Sequence, residues 1–248
     1  LLVTKSIRRA IDQNHVIPYY QPLYNCKTGK IDKFECLIRI QDNQAILSPA
    51  HFLQIAKKSE LYTPLSIQML EKSFAQFNQP EFQEYGFSIN LSYEDIVGQD
   101  IPNTLKNLIN KDNATRVNFE ILETEGIKNY QLVSKCIQNL KAEGCSISID
   151  DYGSGYSNLE HLIKLNVDVI KLDGSLIESL PQPHALAIVR SVITFAKQLN
   201  MTTVAEFVSN KELFDLVNSL EIDYAQGYYI GEPNPIPQKM PINKTSKT

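Results

Sequence analysis

The stretch from Cys145 to Leu162 constrains the fold more than any other part of the chain. Its opening Cys-Ser-Ile-Ser-Ile alternates small or polar positions with isoleucine, as a short strand does, and the apolar run stops at Asp150 and Asp151. Gly153 and Gly155 permit a tight loop, and Leu159, Leu162 and Ile163 then give a helix signal that Ser157 or Asn158 can cap. The order is strand, acidic tip, loop, helix. Two adjacent carboxylates in a poorly solvated cleft repel each other unless one takes up a proton or a cation lies between them, and a divalent metal is the simplest such cation. Taken alone, Asp-Asp-x-Gly reads more simply as an exposed turn whose aspartates bond their own backbone.

Other strand ends change that balance. Thr4 to Gln13 reads as a short helix and Val16 to Leu23 as a first strand, which Pro18 and Pro22 keep from being an ordinary central one. After the turn at Asn25 to Gly29, the alternation in Ile31 to Ile40 puts Glu35 and Arg39 on one face with Leu37 between them; a same-face ion pair is the competing reading. Ser48-Pro49 opens a helix by capping logic, and Pro64 opens another with Ile67, Leu70, Phe74 and Phe77 on one stripe. Tyr85 to Leu91 is a strand with Asn90 at its end, where an asparagine is more often a turn former than a ligand. Arg116 to Leu122 is a strand with Glu120 inside its apolar part and Glu123 just beyond, and a glutamate buried in a strand is costly unless paired.

Tyr130 to Glu143 has helical spacing closed by Gly144, and Val167 to Leu172 is a compact strand ending in Lys171 and Asp173. Ala185 to Leu199 is the clearest helix, with Ala185, Ile188, Val189, Val192, Ile193, Ala196 and Leu199 assigned to one face. Thr202 to Ala205 delivers Glu206, Lys211 to Leu220 is a helix, and Ile222 to Tyr229 is a last strand carrying Gln226 and Gly227.

At 248 residues the chain has the size of a single barrel of alternating strands and helices, which typically runs to ~250 residues. One domain is expected, with a core from about 15 to 235 and a loosely ordered tail over 236–248, rich in Pro, Asn, Lys and Thr. Opening on Leu1, the sequence reads as a piece of a longer protein. A net charge of −4 argues against a surface that coats DNA or RNA, and no window reaches the ~18 apolar residues of a membrane span. Cys26, Cys36, Cys136 and Cys145 lack metal spacing and read as reduced thiols of a cytoplasmic protein, although the parent chain could be tethered to the inner membrane. His15, His51, His161 and His184 fall near helix ends or turns and read as surface residues.

Glu35, Asn90, Glu120, Asp150 with Asp151, Lys171, Glu206 and Gln226 all stand at or near strand ends. In a parallel α/β barrel such ends meet on one face, where active sites form. Oxygen donors without histidine suit hard cations, so Mg²⁺ or Mn²⁺ is expected over zinc. Two acidic clusters suggest two metals ~3.5–4 Å apart, as in phosphodiester cleavage.

These residues resemble the EAL domain family of bacterial cyclic di-GMP phosphodiesterases, over Ile17 to Pro233. The family's Glu-Ala-Leu stands here as Glu35-Cys36-Leu37, followed by Arg39; its Asn-Leu-Ser begins at Asn90; its Glu-x-x-Glu is Glu120 and Glu123. Asp-Asp-Phe-Gly-x-Gly-Tyr-Ser is Asp150 through Ser157 with Tyr152 for Phe, Ile-Lys-x-Asp is Ile170 to Asp173, Ala-Glu-Gly-Val-Glu is Ala205 to Ser209, and Gln-Gly-Tyr is Gln226 to Tyr228. The resemblance implies a TIM-like (β/α)8 barrel with an antiparallel first strand, and hydrolysis of cyclic di-GMP to linear 5′-pGpG by a two-metal-activated water. It implies Glu35, Asn90, Glu120, Asp150, Asp151 and Glu206 as metal ligands, with Glu35, Lys171 and Glu206 catalytic. It further implies Arg39, Gln21, Leu37, Gln226 and Pro233 as substrate contacts, and Glu123 with Gly153 and Gly155 as support for the loop. Mg²⁺ or Mn²⁺ would serve and Ca²⁺ would inhibit; a homodimer, and sensor or GGDEF-type domains in the parent chain, are expected on the same ground.

Cys36 replaces Ala, Phe207 replaces Gly and Ser209 replaces the second Glu of Ala-Glu-Gly-Val-Glu, and none of these removes an expected metal ligand. Two rival functions share the acidic rim. One is a catalytically inactive cyclic di-GMP receptor or protein-interaction module, which metal-dependent turnover excludes. The other is a barrel lyase or enolising enzyme using Lys171 as base, which would exchange protons on a carbonyl substrate and leave cyclic dinucleotides intact.

Overall fold

Asn25 sets the first reversal of the chain. Its side chain accepts hydrogen bonds from the Lys27 and Thr28 amides, and Gly29 takes φ +71, so two long strands are joined by a turn too short for anything but an antiparallel pair. The computed structural model describes residues 2–122, 130–153 and 159–239. In chain order the elements are α1 (Leu2–Asp12), β1 (Val16–Asn25), β2 (Lys30–Asp42), β3 (Ala45–Leu47), α2 (Pro49–Lys58), α3 (Tyr62–Phe77), β4 (Gly86–Leu91), α4 (Tyr93–Val97) and α5 (Asp100–Leu108). They continue as β5 (Val117–Leu122), α6 (Tyr130–Ala142), β6 (Ser146–Tyr152), α7 (Leu159–Leu165), β7 (Val169–Leu172), α8 (Gly174–Glu178), α9 (Pro183–Gln198), β8 (Thr202–Ala205), α10 (Lys211–Ser219) and β9 (Tyr224–Ala225).

The sheet closes on itself in the order β1, β2, β4, β5, β6, β7, β8, β9 and back to β1, with β3 a hairpin extension of β2. β2, β4 and β5 through β9 run parallel, and β1 is antiparallel to both of its neighbours. This is the expected TIM-like barrel with a reversed first strand. β1 meets β9 only at Tyr24 and Asn25, so Pro18 and Pro22 lie on a stretch without a full second neighbour, where a missing amide donor costs little. The chain end partly fills the gap: the Tyr20 amide donates to the Asn234 carbonyl at 2.8 Å and the Asn234 amide returns a bond to Tyr20.

Apolar stripes hold the helices to the barrel. Leu70, Phe74 and Phe77 of α3 are buried, and the Phe77 ring stacks on Phe87 of β4 with centroids 4.6 Å apart. On α9, Ala185, Val189, Val192, Ile193 and Ala196 are buried, and each Val or Ile contributes roughly 1.5–3 kcal/mol. Ile188 and Leu199, which the spacing puts on the same face, are only about half buried, because the buried stripe is narrower than the apolar one.

Three further differences have physical causes. The last strand, expected over Ile222 to Tyr229, is only Tyr224–Ala225: Gly227 passes so close to the next turn that a Cβ there would lie 2.7 Å from the Val208 carbonyl carbon, and the ladder ends. α4 is unforeseen although it carries a capping box, in which Ser92 Oγ accepts from the Asp95 amide and the Asp95 carboxylate accepts from the Ser92 amide. β3, α5 and α8 are likewise short elements with no expectation behind them. Residues 240–248 of the expected loose tail lie outside the described residues; before them, Lys239 Nζ donates to the Glu81 carbonyl and sits over the Phe82 ring.

Barrels of this kind usually fill their interior with branched apolar side chains. Here Ser88, Asn118, Ser146 and Ser148 line a cavity of about 290 Å³ below the rim, with Glu120 and Lys171 among its lining residues. Among the described residues, no helix is long and apolar enough to cross a membrane.

Candidate active site at the parallel rim

Asn90 and Lys171 are the penultimate residues of β4 and β7, and Glu206 and Gln226 follow the last residues of β8 and β9. Glu35 lies within β2, not at its end. The parallel pairing of β2 with β4 stops at Cys36 and Ile89, so the rim passes Glu35 while β2 runs on into its hairpins. Gln21 of the antiparallel β1 stands directly opposite Glu35. Consecutive strand residues normally face opposite sides. β6 departs from that rule: its pairing with β7 shifts between Ile149 and Tyr152, and Asp151 takes φ +56, which aspartate tolerates better than most residues. The irregularity lets Asp150 and Asp151 line the same cleft, as a bulge does.

Lys171 is the hub. Its ammonium lies 2.6 Å from Glu120 Oε2, 2.8 Å from Glu206 Oε1, 2.9 Å from Asp150 Oδ1 and 3.5 Å from Glu35 Oε2. Lys171 and Glu120 are each 1% exposed. A second tier fixes Glu35: Gln226 Nε2 donates to Oε2 at 2.5 Å and to Gln21 Oε1 at 3.1 Å, and Asn90 Nδ2 donates to Glu35 Oε1 at 2.9 Å. Gln21 Nε2 in turn donates to the Gly231 carbonyl, tying the set to the chain end.

One ammonium does not balance these acids, and proton affinities shift accordingly. Burial and the charge of Glu35 push Glu120 well above the carboxylate range, against the pull of Lys171. Burial drives Glu206 up to about 8; Lys171 opposes, and Asp150 and Glu35 add to the rise. Asp151 is raised by burial, then by Asp150 and Asp173. Glu35 goes the other way: burial would raise it, but Lys171 and the bonds from Gln226 and Asn90 outweigh that. Burial would also lower Lys171, and its carboxylate partners instead hold it well above the usual lysine value, so it stays charged.

Above this layer opens a cleft of about 520 Å³ lined by the other expected contacts: Gln21, Leu37, Arg39, Gln226 and Pro233, with Glu35, Asp150, Asp151 and Glu206 at its acidic part. Arg39 lies over the Tyr19 ring at 5.4 Å and donates to the Ile38 carbonyl. Gly153 has φ +100, a conformation that glycine adopts freely at the exit from β6. Glu123 and Gly155 lie outside the described residues. The cleft also includes residues given no role from sequence. Glu178 belongs to the five-residue α8, too short to show periodicity, and Tyr228 is 65% exposed. Phe207 is 63% exposed with its backbone at φ +54, which for a bulky residue costs on the order of 1–3 kcal/mol.

The sequence profile described as EAL domain matches residues 4–233. The chain belongs to the EAL domain family. It is 33% identical over 237 residues to a cyclic di-GMP phosphodiesterase, PdeB of Shewanella oneidensis, in a match covering 93% of this chain and 28% of that protein. The chain thus spans under a third of that relative's length. A crystal structure of an EAL domain protein from Listeria monocytogenes matches with a TM-score of 0.85 at 28% identity over 94% of each chain. BlrP1 of Klebsiella pneumoniae, in a calcium and cyclic di-GMP complex, matches with a TM-score of 0.79 at 26% identity, covering 89% of this chain and 56% of that one.

The donors in this EAL domain fit a metal ion. Asp150, Asp151 and Glu206 each offer a carboxylate oxygen within 4.8 Å of the others. An oxygen-only set with surplus negative charge suits a hard divalent cation.

Proposed function

We propose that this domain hydrolyses cyclic di-GMP to linear 5′-pGpG in a reaction that requires Mg²⁺ or Mn²⁺. The observation that carries the reading is the full set of acids around Lys171 in a chain of this family, together with the activity named for PdeB. Glu35, Asn90, Glu120, Asp150, Asp151 and Glu206 would hold two cations, which when bound supply activation of water and neutralise charge on the phosphate.

The chain's own contribution is positional and electrostatic. Lys171, kept charged by its carboxylates, orients Glu120 and Glu206 and presents a fixed positive charge beneath the phosphate. Asn90 and Gln226 hold the Glu35 carboxylate in one orientation, and Gln21 holds Gln226. Arg39 contacts a phosphate oxygen; Leu37 and Pro233 contact the nucleotide. Glu123 supports the glycine loop. Ca²⁺ supports binding and not cleavage, in keeping with the calcium and cyclic di-GMP complex of BlrP1. The reading extends to a cytoplasmic site of action, a homodimer, and sensor or GGDEF-type domains elsewhere in a longer chain.

A second reading, a receptor that binds without cutting, is favoured by Phe207 and Ser209, which both line the cleft. Incubating cyclic di-GMP with the protein in Mg²⁺ and in EDTA, followed by chromatography of the nucleotide, decides between them. Release of pGpG only with Mg²⁺ is expected, and intact cyclic di-GMP in both overturns the enzyme.

A further inference from the structure

Phe207 is a residue at the cleft that packing does not explain. It adjoins Glu206, shares the cleft with Leu37, Arg39 and Tyr228, and remains 63% exposed on backbone at φ +54. An exposed ring gains little from the core, and glycine would relax that backbone. The ring is also seated. Gly174, the first residue of α8, is buried beneath it, and a methyl group added there would lie 2.6 Å from Phe207 Cγ and 2.9 Å from its Cβ. Gly174 has no positive φ that would exclude alanine, so what alanine would meet there is the ring. A phenylalanine where glycine would relax the chain, and a glycine where any Cβ would strike the ring, thus serve one ring position.

The geometry points to Phe207 as a stacking platform, seated on Gly174, for one guanine base of the substrate. This rests on the proposed function above. A cyclic dinucleotide carries two bases. Leu37 and Arg39 stand on β2, whereas Phe207 follows β8, with β9 and β1 between them around the barrel. Every base has a π face, so a ring at the second wall adds affinity without reading base edges.

The test is steady-state hydrolysis of cyclic di-GMP by the Mg²⁺-loaded protein. Phe207→Ala should raise KM about 5- to 150-fold, the range for loss of one base–aromatic stack, with a much smaller change in kcat. Phe207→Trp should restore KM and Phe207→Leu should not, which separates stacking from mere apolar volume. Gly174→Ala, which displaces the ring without entering the cleft, should raise KM in the natural chain and do nothing further in a Phe207→Ala background. Phe207→Gly should melt no lower than the natural chain, which shows that the loss is not one of folding. Unchanged KM in Phe207→Ala, or an equal effect of Gly174→Ala with and without the ring, overturns the platform and leaves the proposed reaction standing. A natural chain that neither binds nor cuts cyclic di-GMP overturns both.

Discussion

Replacing Lys171 by methionine keeps most of the side-chain volume and removes the one cation within 3.5 Å of Glu35, Glu120, Asp150 and Glu206 among the described residues. Removing one partner of a buried ionic network costs about 3–5 kcal/mol, because the remaining charges are left uncompensated. For a domain of this size about 2–4 °C is lost per kcal/mol, so the melting temperature in EDTA should fall by roughly 6–20 °C. The deficit depends on pH. Glu206 is raised to about 8, and Glu120 lies well above the carboxylate range even with the ammonium present, so near pH 5 both acids hold protons and the lysine matters least. As pH rises through about 8 Glu206 must ionise, and the loss should grow. Divalent cations supply the missing charge, so Mg²⁺ should recover most of the melting temperature while hydrolysis stays abolished. The chain has no tryptophan, so far-UV circular dichroism is the appropriate probe. A variant melting within about 2 °C of the natural chain in EDTA at pH 8 would refute the view of Lys171 as the counter-charge of the acidic layer.

Glu35→Ala should abolish Mg²⁺-dependent hydrolysis and leave the fold intact, as circular dichroism and turnover together will show. Metal affinity should rise with pH, because the Glu206 carboxyl, driven up to about 8, must lose its proton to ligate. Mn²⁺ titration calorimetry should show affinity rising with pH through about 8 and on beyond it, since Glu120 also holds its proton well above the carboxylate range, with Glu206→Gln lowering the slope.

The barrel and its acidic rim were legible in sequence because both rest on local signals: an apolar strand that stops at a polar residue, followed by a helical stripe. Glu206 after Ala205 and Lys171 near the end of β7 are where those signals put them. What was hidden depends on the closed barrel. The bulge that turns Asp150 and Asp151 to the same cleft arises from mismatch between β6 and β7, which neither strand shows alone. The four carboxylates around Lys171 come from β2, β5, β6 and the residue after β8, and only closure of the barrel brings them within reach. Phe207 was visible as a departure, but its seat on Gly174 joins segments after β8 and β7. Short elements such as α4 and α8 offer too few residues for a period to show.

The acidic layer is proposed as a catalytic metal site and not only a binding one. Ca²⁺ takes a loose oxygen shell at ~2.3–2.6 Å, whereas Mg²⁺ demands near-octahedral geometry at ~2.0–2.1 Å. The measurement is to saturate the protein with cyclic di-GMP in Ca²⁺, confirm binding by calorimetry, then chase with excess Mg²⁺ or Mn²⁺ and follow the nucleotide by chromatography. Intact cyclic di-GMP is expected in Ca²⁺, and its conversion to pGpG after the chase. Tight binding with intact cyclic di-GMP under all three ions would contradict the catalytic assignment.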